Sequence, residues 1–356
     1  MKIVTVVGAR PQFIKAAVVS RQLRKHTNEI LVHTGQHYDY NMSDIFFEQL
    51  NIPHPDYNLG ISRGTHGQMT GRMIEAIEDV LLNEKPDKVL VYGDTNSTLA
   101  AALAAVKLHI PVNHVEAGNR LNNLDNPEEV NRICTDHVSN KLFACTKSAM
   151  DFLDREGLSD KAFLVGDPMF DAFSFYSKIA PGIEGIGLVD LEGKKTSVPV
   201  CYYYMTCHRQ ENTDTDEKLD SILSAMESLD APTIYPVHPR NGQRAKYICE
   251  KNNYHNIILT KPVGYLESIA LVSHAKKIIT DSGGLQREAF FAGKQCVTVF
   301  DNVIWPETMV GNRNQLAKPD KEDIIEKLIK KQILDSDYLP FGDGHSAEKI
   351  CSEIIK

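Results

Sequence analysis

The feature that constrains this chain most is an alternation kept up over most of its length. Short runs rich in Val, Ile and other apolar residues are each followed by a longer stretch with helical apolar spacing. In the first half the runs are Ile3–Val7, Glu29–Thr34, Lys88–Tyr92, Pro111–Glu116 and Lys141–Thr146. Helices are expected from Pro11, near 42–50, near 67–84, after Asp94, near 128–140 and after Ser148. Such βαβα order means a parallel sheet covered by helices on both faces, because a parallel crossover needs a connection long enough to hold a helix. A second series has strands at Pro199–Thr206, Pro232–His238, Asn256–Thr260, Lys276–Thr280 and Gln295–Phe300. The Gly- and Lys-rich stretch 182–195 before it has the composition of a connection. The expectation is an α/β protein of two doubly wound, Rossmann-like domains at 1–170 and 171–340, with a C-terminal helix, 341–356, packing back on the body.

Composition narrows the partners. Lys plus Arg number 39 against 47 Asp plus Glu, a net charge of −8, which argues against nucleic acid held through bulk charge. The seven cysteines are scattered, with no Cys-x-x-Cys pair, as expected of reduced thiols in a cytoplasmic protein and not of a disulfide frame or metal site. No apolar run is long enough to span a membrane, and the opening Met1–Pro11 is expected to be a first strand and turn, not a leader.

Ligands of doubly wound sheets bind at the carboxyl ends of the strands, and two such domains side by side would share a cleft there. The informative residues sit at strand ends. Gly8-Ala9-Arg10-Pro11 follows the first strand, and Arg10 and Lys15 are either surface cations or groups facing an anion at a helix N-terminus. This segment is neither a nicotinamide fingerprint nor a P-loop, and no cofactor is expected. Asp94 ends a strand and either caps the next helix or points into the cleft. Glu116 ends another strand, while Glu128 and Glu129 occupy the first turn of a helix after Pro127, where acids also suit the helix dipole; for Glu129 that structural role is preferred. Carboxylates converging on one cleft are what general acid and base work requires.

In the second half, His208 and Arg209 end a strand, and His238-Pro239-Arg240 is similar; these could grip a diphosphate, or His208 could move a proton. Cys207 lacks the surroundings of a nucleophile. Ser282-Gly283-Gly284 joins a strand to a helix, where small residues let backbone amides approach a phosphate, and Glu288 lies one turn further on, within reach of a ribose. Tyr265 either packs or offers a ring edge to a nucleobase.

In order, Gly8-Ala9-Arg10-Pro11 with Ile14-Lys15, Gly93 to Thr98, His114 to Gly118, Pro127-Glu128-Glu129 with Asn131-Arg132, His208-Arg209 with Glu211-Asn212, Pro262 with Gly264-Tyr265-Leu266, and Asp281 to Ala289 resemble the UDP-N-acetylglucosamine 2-epimerase family over roughly residues 1–310. The resemblance implies a glycosyltransferase-B arrangement, a homodimer, a UDP-sugar in the cleft, and no metal or nicotinamide. It also implies elimination of UDP across C1–C2 to a bound 2-acetamidoglucal, then re-addition. By the same resemblance Asp94, Glu116 and Glu128 match the catalytic acids and His208 the catalytic-site histidine. Arg10, Lys15, Arg132, Ser282 and Gly283 match substrate and phosphate contacts, and Glu288 the ribose contact; His238, Tyr265 and Gly284 complete the binding candidates.

Departures bear on the sugar. The usual Ala-Gly-Leu-Arg-Thr reads Ala117-Gly118-Asn119-Arg120-Leu121, Arg287 replaces a Glu, and Val299–Glu307 lacks the usual Arg and Glu. These replacements leave the sugar open, while the short segment before Pro127 and the run His33-Thr34-Gly35-Gln36-His37-Tyr38-Asp39 look more like the branch acting on UDP-2,3-diacetamido-2,3-dideoxy-glucuronate or a related modified sugar. A hydrolysing 2-epimerase and a glycosyltransferase of the same architecture remain as alternatives.

Overall fold

A computed structural model describes residues 1–36 and 50–356. His37, Tyr38 and Asp39, and all but the last residue of the helix expected near 42–50, lie outside them. The chain divides into two compact units, Met1–Ser174 with Leu339–Lys356, and Phe175–Tyr338. Both are α/β units of Rossmann type, the composition of the glycosyltransferase-B class.

The first unit begins with β1 (Lys2–Val7), α1 (Arg10–Leu23), β2 (Asn28–His33), β3 (Tyr57–Asn58), α2 (His66–Glu84), β4 (Lys88–Tyr92) and α3 (Asn96–Lys107). It continues through β5 (Val112–Ala117), α4 (Pro127–Val138), β6 (Lys141–Ala144), α5 (Lys147–Arg155), β7 (Ala162–Leu164) and α6 (Pro168–Tyr176). Its seven strands are all parallel, in the order β3-β2-β1-β4-β5-β6-β7. The order turns back between β1 and β4, the switch point where doubly wound sheets take ligands. Val4, Val6, Val32, Val89, Val91 and Val112 pack there against Ala100, Ala101, Ala102, Ala104 and Ala105 of α3 and Met73, Ile77 and Leu81 of α2. Small residues on α3 let that helix lie close on the sheet. Packing is so tight that a Cβ on Gly8 would fall 2.1 Å from Ser97 Oγ.

Caps set where the helices begin. Thr95 accepts from the Thr98 amide at the start of α3, and Asn126 Oδ1 takes the Glu128 and Glu129 amides at 2.9 and 3.2 Å ahead of Pro127. At the end of β5 the register to β6 shifts between Val115 and Ala117, leaving Glu116 as the irregular residue with φ 71. A left-handed backbone is costly for Glu, and bulges of this kind re-aim a side chain at a sheet edge.

The second unit contains β8 (Leu188–Val189), β9 (Lys195–Thr196), β10 (Tyr203–Thr206), α7 (Gln210–Thr213), α8 (Asp216–Glu227), β11 (Thr233–Pro236), α9 (Gly242–Asn252) and β12 (Ile257–Thr260). After these come α10 (Tyr265–His274), β13 (Ile278–Thr280), α11 (Gly283–Phe291), β14 (Cys296–Val299), β15 (Asn314–Ala317) and α12 (Lys321–Ile329). Six strands run parallel in the order β12-β11-β10-β13-β14-β15, so its switch point lies between β10 and β13.

The stretch 182–195, expected as a connection, lies inside this unit: Leu188–Val189 pairs antiparallel with Lys195–Thr196 as a hairpin whose bend uses Gly193 at φ 92. The C-terminal helix α13 (Ser346–Ile355) belongs to the first unit, burying Ile350, Cys351 and Ile354. Lys88 and Lys141 donate to the carbonyls of Ile354 and Glu353, closing the last turn with cations that also suit the helix dipole. Among the described residues no helix is long and apolar enough to cross a membrane.

Candidate active site

The first site is built on the carboxyl edge of the first sheet, around β1, β4 and β5. Gln12, buried on α1, ties the two switch-point strands together. Its Oε1 accepts from the Gly8 and Ala9 amides at 2.7 and 3.0 Å, and its Nε2 donates to Tyr92 O at 2.6 Å. One turn on, Lys15 is 2% exposed, and its ammonium pairs with the Glu116 carboxylate. A lysine is rarely buried unless paired, so the bulge at Glu116 and the burial of Lys15 explain each other.

Beside them Arg132 of α4 holds Asp94 through Nε at 2.9 Å and Nη2 at 2.7 Å, while its Nη1 meets Glu129 at 2.6 Å. Burial works against the Arg132 charge, and the Asp94 and Glu129 carboxylates more than offset it, raising its pKa. Glu129 also accepts from the Leu121 and Asn122 amides at 2.8 Å each, which fixes the loop before α4. Glu129 is thus the structural acid of the pair, and the Glu128 carboxylate is exposed. Arg10, half-buried, opens α1.

Beneath this edge lies a group that the motifs do not reveal. Asp136 of α4 meets His114 Nδ1 at 2.7 Å and Arg120 Nη1 at 2.8 Å, and accepts from the Gly118 amide at 3.0 Å. His114 Nε2 lies 2.7 Å from the Gly93 carbonyl, so both ring nitrogens face acceptors. Burial opposes the Asp136 charge, yet His114 and Arg120 bring its pKa below the usual carboxylate range. The turns carrying Asp94 and Glu116 are therefore anchored to one buried ion cluster. No sequence signal marks Asp136, a single acid within an amphipathic helix.

In the second unit the centre is Asp281, at the end of β13. Its Oδ2 accepts the His208 and Arg209 amides at 2.9 and 2.8 Å, and its Oδ1 lies 3.1 Å from His208 Nδ1. Arg209 Nε donates to the Asp281 carbonyl at 2.7 Å, and Arg240 Nη2 to the His208 carbonyl at 2.7 Å. The loop after β10 is thus strapped to β13 with half of the His208 ring left exposed. Burial pushes the Cys207 thiol well above its ordinary pKa, with Asp281 adding to it, so a thiolate nucleophile has no support.

Ser282 precedes α11 without spending its side chain on a cap, leaving the first amides and dipole of that helix beside Gly283 and Gly284. Behind them Arg287 is buried with its guanidinium 4.0 Å over the Trp305 ring, and Glu288 is buried next to it on α11. His238 is exposed, and its Nδ1 accepts from the Arg240 amide at 3.3 Å.

Of the two readings of Tyr265, the structure shows packing: its ring is 1% exposed and lies edge-on against Tyr176 with centroids 5.8 Å apart.

Asp281 yields an acid-stability prediction. Burial opposes its charge, but the His208 side chain and the two amides bring its pKa down to about 2, below the about 3.9 of an unfolded chain. A depressed carboxylate contributes stability that is complete above the unfolded value and is lost as pH falls through the folded one. Asp281→Asn is expected to cost about 2 kcal/mol at neutral pH. Urea titrations at stepped pH should show the difference from wild type shrinking between about pH 4 and pH 2; a constant difference would contradict the role.

The fold and these two charged edges define an α/β enzyme that handles a phosphorylated, sugar-like ligand. The sequence pattern of the UDP-N-acetylglucosamine 2-epimerase family matches residues 21–355, and the chain belongs to that family. Its members are named as epimerases, isomerases acting on UDP-sugars. A UDP-N-acetylglucosamine 2-epimerase homolog of Methanococcus maripaludis is 49% identical, with 98% of each chain covered. The UDP-2,3-diacetamido-2,3-dideoxy-D-glucuronate 2-epimerase of Pseudomonas aeruginosa is 47% identical over the whole of both. The crystal structure of the Methanocaldococcus jannaschii UDP-GlcNAc 2-epimerase in complex with UDP-GlcNAc and UDP is 41% identical, with a TM-score of 0.87 over 100% of this chain and 99% of that one.

Proposed function

We propose that this protein inverts C2 of a UDP-linked 2-acetamido sugar, converting UDP-N-acetylglucosamine to UDP-N-acetylmannosamine. UDP leaves across C1–C2, a 2-acetamidoglucal stays bound, and UDP adds back with a proton delivered to the opposite face. The C2 hydrogen is not next to a carbonyl, so elimination is the accessible way to labilise it. That route needs carboxylates for the proton and cations or amides for the leaving diphosphate. The observation that carries the reading is the pairing of Glu116 with Lys15 and of Asp94 with Arg132 at the switch point of the first sheet. In the same reading Arg10 and the segment Ser282-Gly283-Gly284 take the diphosphate, Glu288 the ribose, and His208 and His238 line the UDP side. Glu128, exposed on the first turn of α4, is the third acid. A homodimer working in the cytoplasm completes the proposal.

A second substrate, UDP-2,3-diacetamido-2,3-dideoxy-glucuronate, is favoured by the 47% identity to the Pseudomonas enzyme named for it.

A proton NMR time course in D₂O decides between them. UDP-N-acetylmannosamine carrying deuterium at C2 is the expected product from UDP-N-acetylglucosamine. Turnover of the diacetamido-glucuronate alone would move the assignment to that sugar, and UDP with free sugar would show a hydrolysing enzyme. Inertness toward both would end the epimerase reading.

A further inference from the structure

Behind the Lys15–Glu116 pair lies another buried acid that the reaction as described does not use. Glu116 closes β5, Cys145 follows β6 and Asp167 follows β7, so the neighbouring order of these three strands brings the residues together. A Glu116 carboxylate oxygen, Cys145 Sγ and an Asp167 carboxylate oxygen all lie within 4.8 Å of one another, and all three residues are buried. Asp167 has a structural task as well: ahead of Pro168 its Oδ1 accepts the Met169 amide at 2.9 Å, in the manner of an N-cap. Asparagine performs that task equally, whereas a fully buried acid carries a desolvation cost that a cap alone does not require.

The surrounding charges are specific. Lys15 of α1 pairs with Glu116 and brings one positive charge against two carboxylates. Asp171 of α6 faces Asp167; its pKa is raised chiefly by burial and also by Asp167, while the Ala347 amide of α13 holds its carboxyl. Beyond Gly118 stand Asp136, His114 and Arg120, and beside Gly93 stand Asp94 and Arg132. Two carboxylates this close, out of water and with one ammonium paired to Glu116, do not readily both ionise.

We propose that Glu116 and Asp167 share one proton at neutral pH, which makes Asp167 the positioning residue that lets Glu116 return a proton to the sugar carbon. The inference rests on the epimerase reading for its chemistry. In the re-addition a UDP oxygen bonds to C1, and the electron pair of the C1–C2 double bond takes the shared proton from Glu116 at C2. Both carboxylates are then ionised against Lys15. In the reverse elimination, from that same epimer, the C2–H pair forms the double bond, the C1–O bond leaves with UDP, and the proton goes back to the pair; the other epimer gives its C2 proton to an acid on the opposite face.

Asp167→Asn tests this, because it keeps the cap and removes the ionisable group. The expected result is a kcat lower by about tenfold or more with KM little changed. The alkaline limb of the kcat profile should also move about one unit to lower pH, since Glu116 beside Lys15 alone gives up its proton earlier. An unaltered kcat and an unmoved limb, the behaviour of a simple cap, would overturn the proposal. Infrared difference spectra at neutral pH, without substrate, should show the carbonyl stretch of a protonated carboxyl in wild type that Asp167→Asn lacks. Identical spectra overturn the shared proton whatever the sugar. A wild type inert toward both UDP-sugars defeats the epimerase reading, and the spectra still decide the proton. If Asn is not accommodated, Asp167→Ser, also a cap former, gives the same two readouts.

Discussion

Asp94→Asn and Glu116→Gln are each expected to lower turnover of the UDP-sugar by about 10²-fold or more, the usual scale for losing a general acid or base. Both substitutions keep shape and remove charge, but they differ in what they leave behind. Asp94 is partly exposed, and Arg132 retains Glu129 when it is lost, so Asp94→Asn should fold as wild type does. Glu116→Gln leaves the Lys15 ammonium buried without its counter-ion, and removing one partner of a buried pair costs about 3–5 kcal/mol. Loss of activity must therefore be separated from loss of structure. Lys15→Met with Glu116→Gln removes both charges and should recover most of the stability while turnover stays low. Steady-state kinetics beside thermal unfolding makes the comparison. Near-normal rates in Asp94→Asn and Glu116→Gln, in folded protein, would remove both residues from the chemistry. Glu128→Gln, a change on an exposed side chain, should lower turnover by a similar factor with stability unaltered, and a normal rate would confine Glu128 to the helix dipole.

The long central strands were legible because parallel strands covered on both faces read as continuous apolar runs, as Ile3–Val7 does. The edge strands β3, β7 and β15 were not: Tyr57–Asn58 is two residues long, Ala162–Leu164 three without a β-branched residue, and Asn314–Ala317 opens on Asn and Gln. The hairpin at 188–196 was hidden because Gly and Lys suit a tight bend and an open linker alike. In the site, a polar residue closing an apolar run is visible from one strand at a time, and Asp94, Glu116 and His208 were singled out as candidates that way. What it pairs with depends on sheet order. Lys15 meets Glu116 across about a hundred residues of sequence because β1, β4 and β5 are neighbours. The same limit explains Tyr265: an aromatic ring after a strand reads alike whether it packs on Tyr176 or faces a ligand. It also explains Asp281, whose place at the head of a phosphate-type motif conceals its grip on the His208 loop.

Asp136→Ala is expected to destabilise the first unit by about 3–5 kcal/mol, a stability effect matched among the single changes considered only by Glu116→Gln. Asp136 has no solvent exposure and serves His114, Arg120 and the Gly118 amide together. Its removal strands a buried imidazole nitrogen, a guanidinium edge and a backbone donor at once, each with its own desolvation cost. Arg120 keeps Glu156 at 2.7 Å, so part of its charge remains met, and the damage should centre on His114 and Gly118. Those two groups hold the Gly93 and Gly118 turns that carry Asp94 and Glu116, so activity should fall with stability even though Asp136 touches no substrate in the proposed reaction. Asp136→Asn refines the test. Its carbonyl oxygen at the Oδ2 position can still accept from Gly118 and Arg120, while its amide nitrogen faces His114 Nδ1 and needs the ring proton on Nε2, toward the Gly93 carbonyl; with the charge lost it should lie between wild type and alanine. Urea unfolding with kcat measured on the same samples gives both quantities. A loss below about 1 kcal/mol for Asp136→Ala, typical of an exposed ion pair, would mean that the two turns are held by the strands themselves and that the buried cluster only fills space.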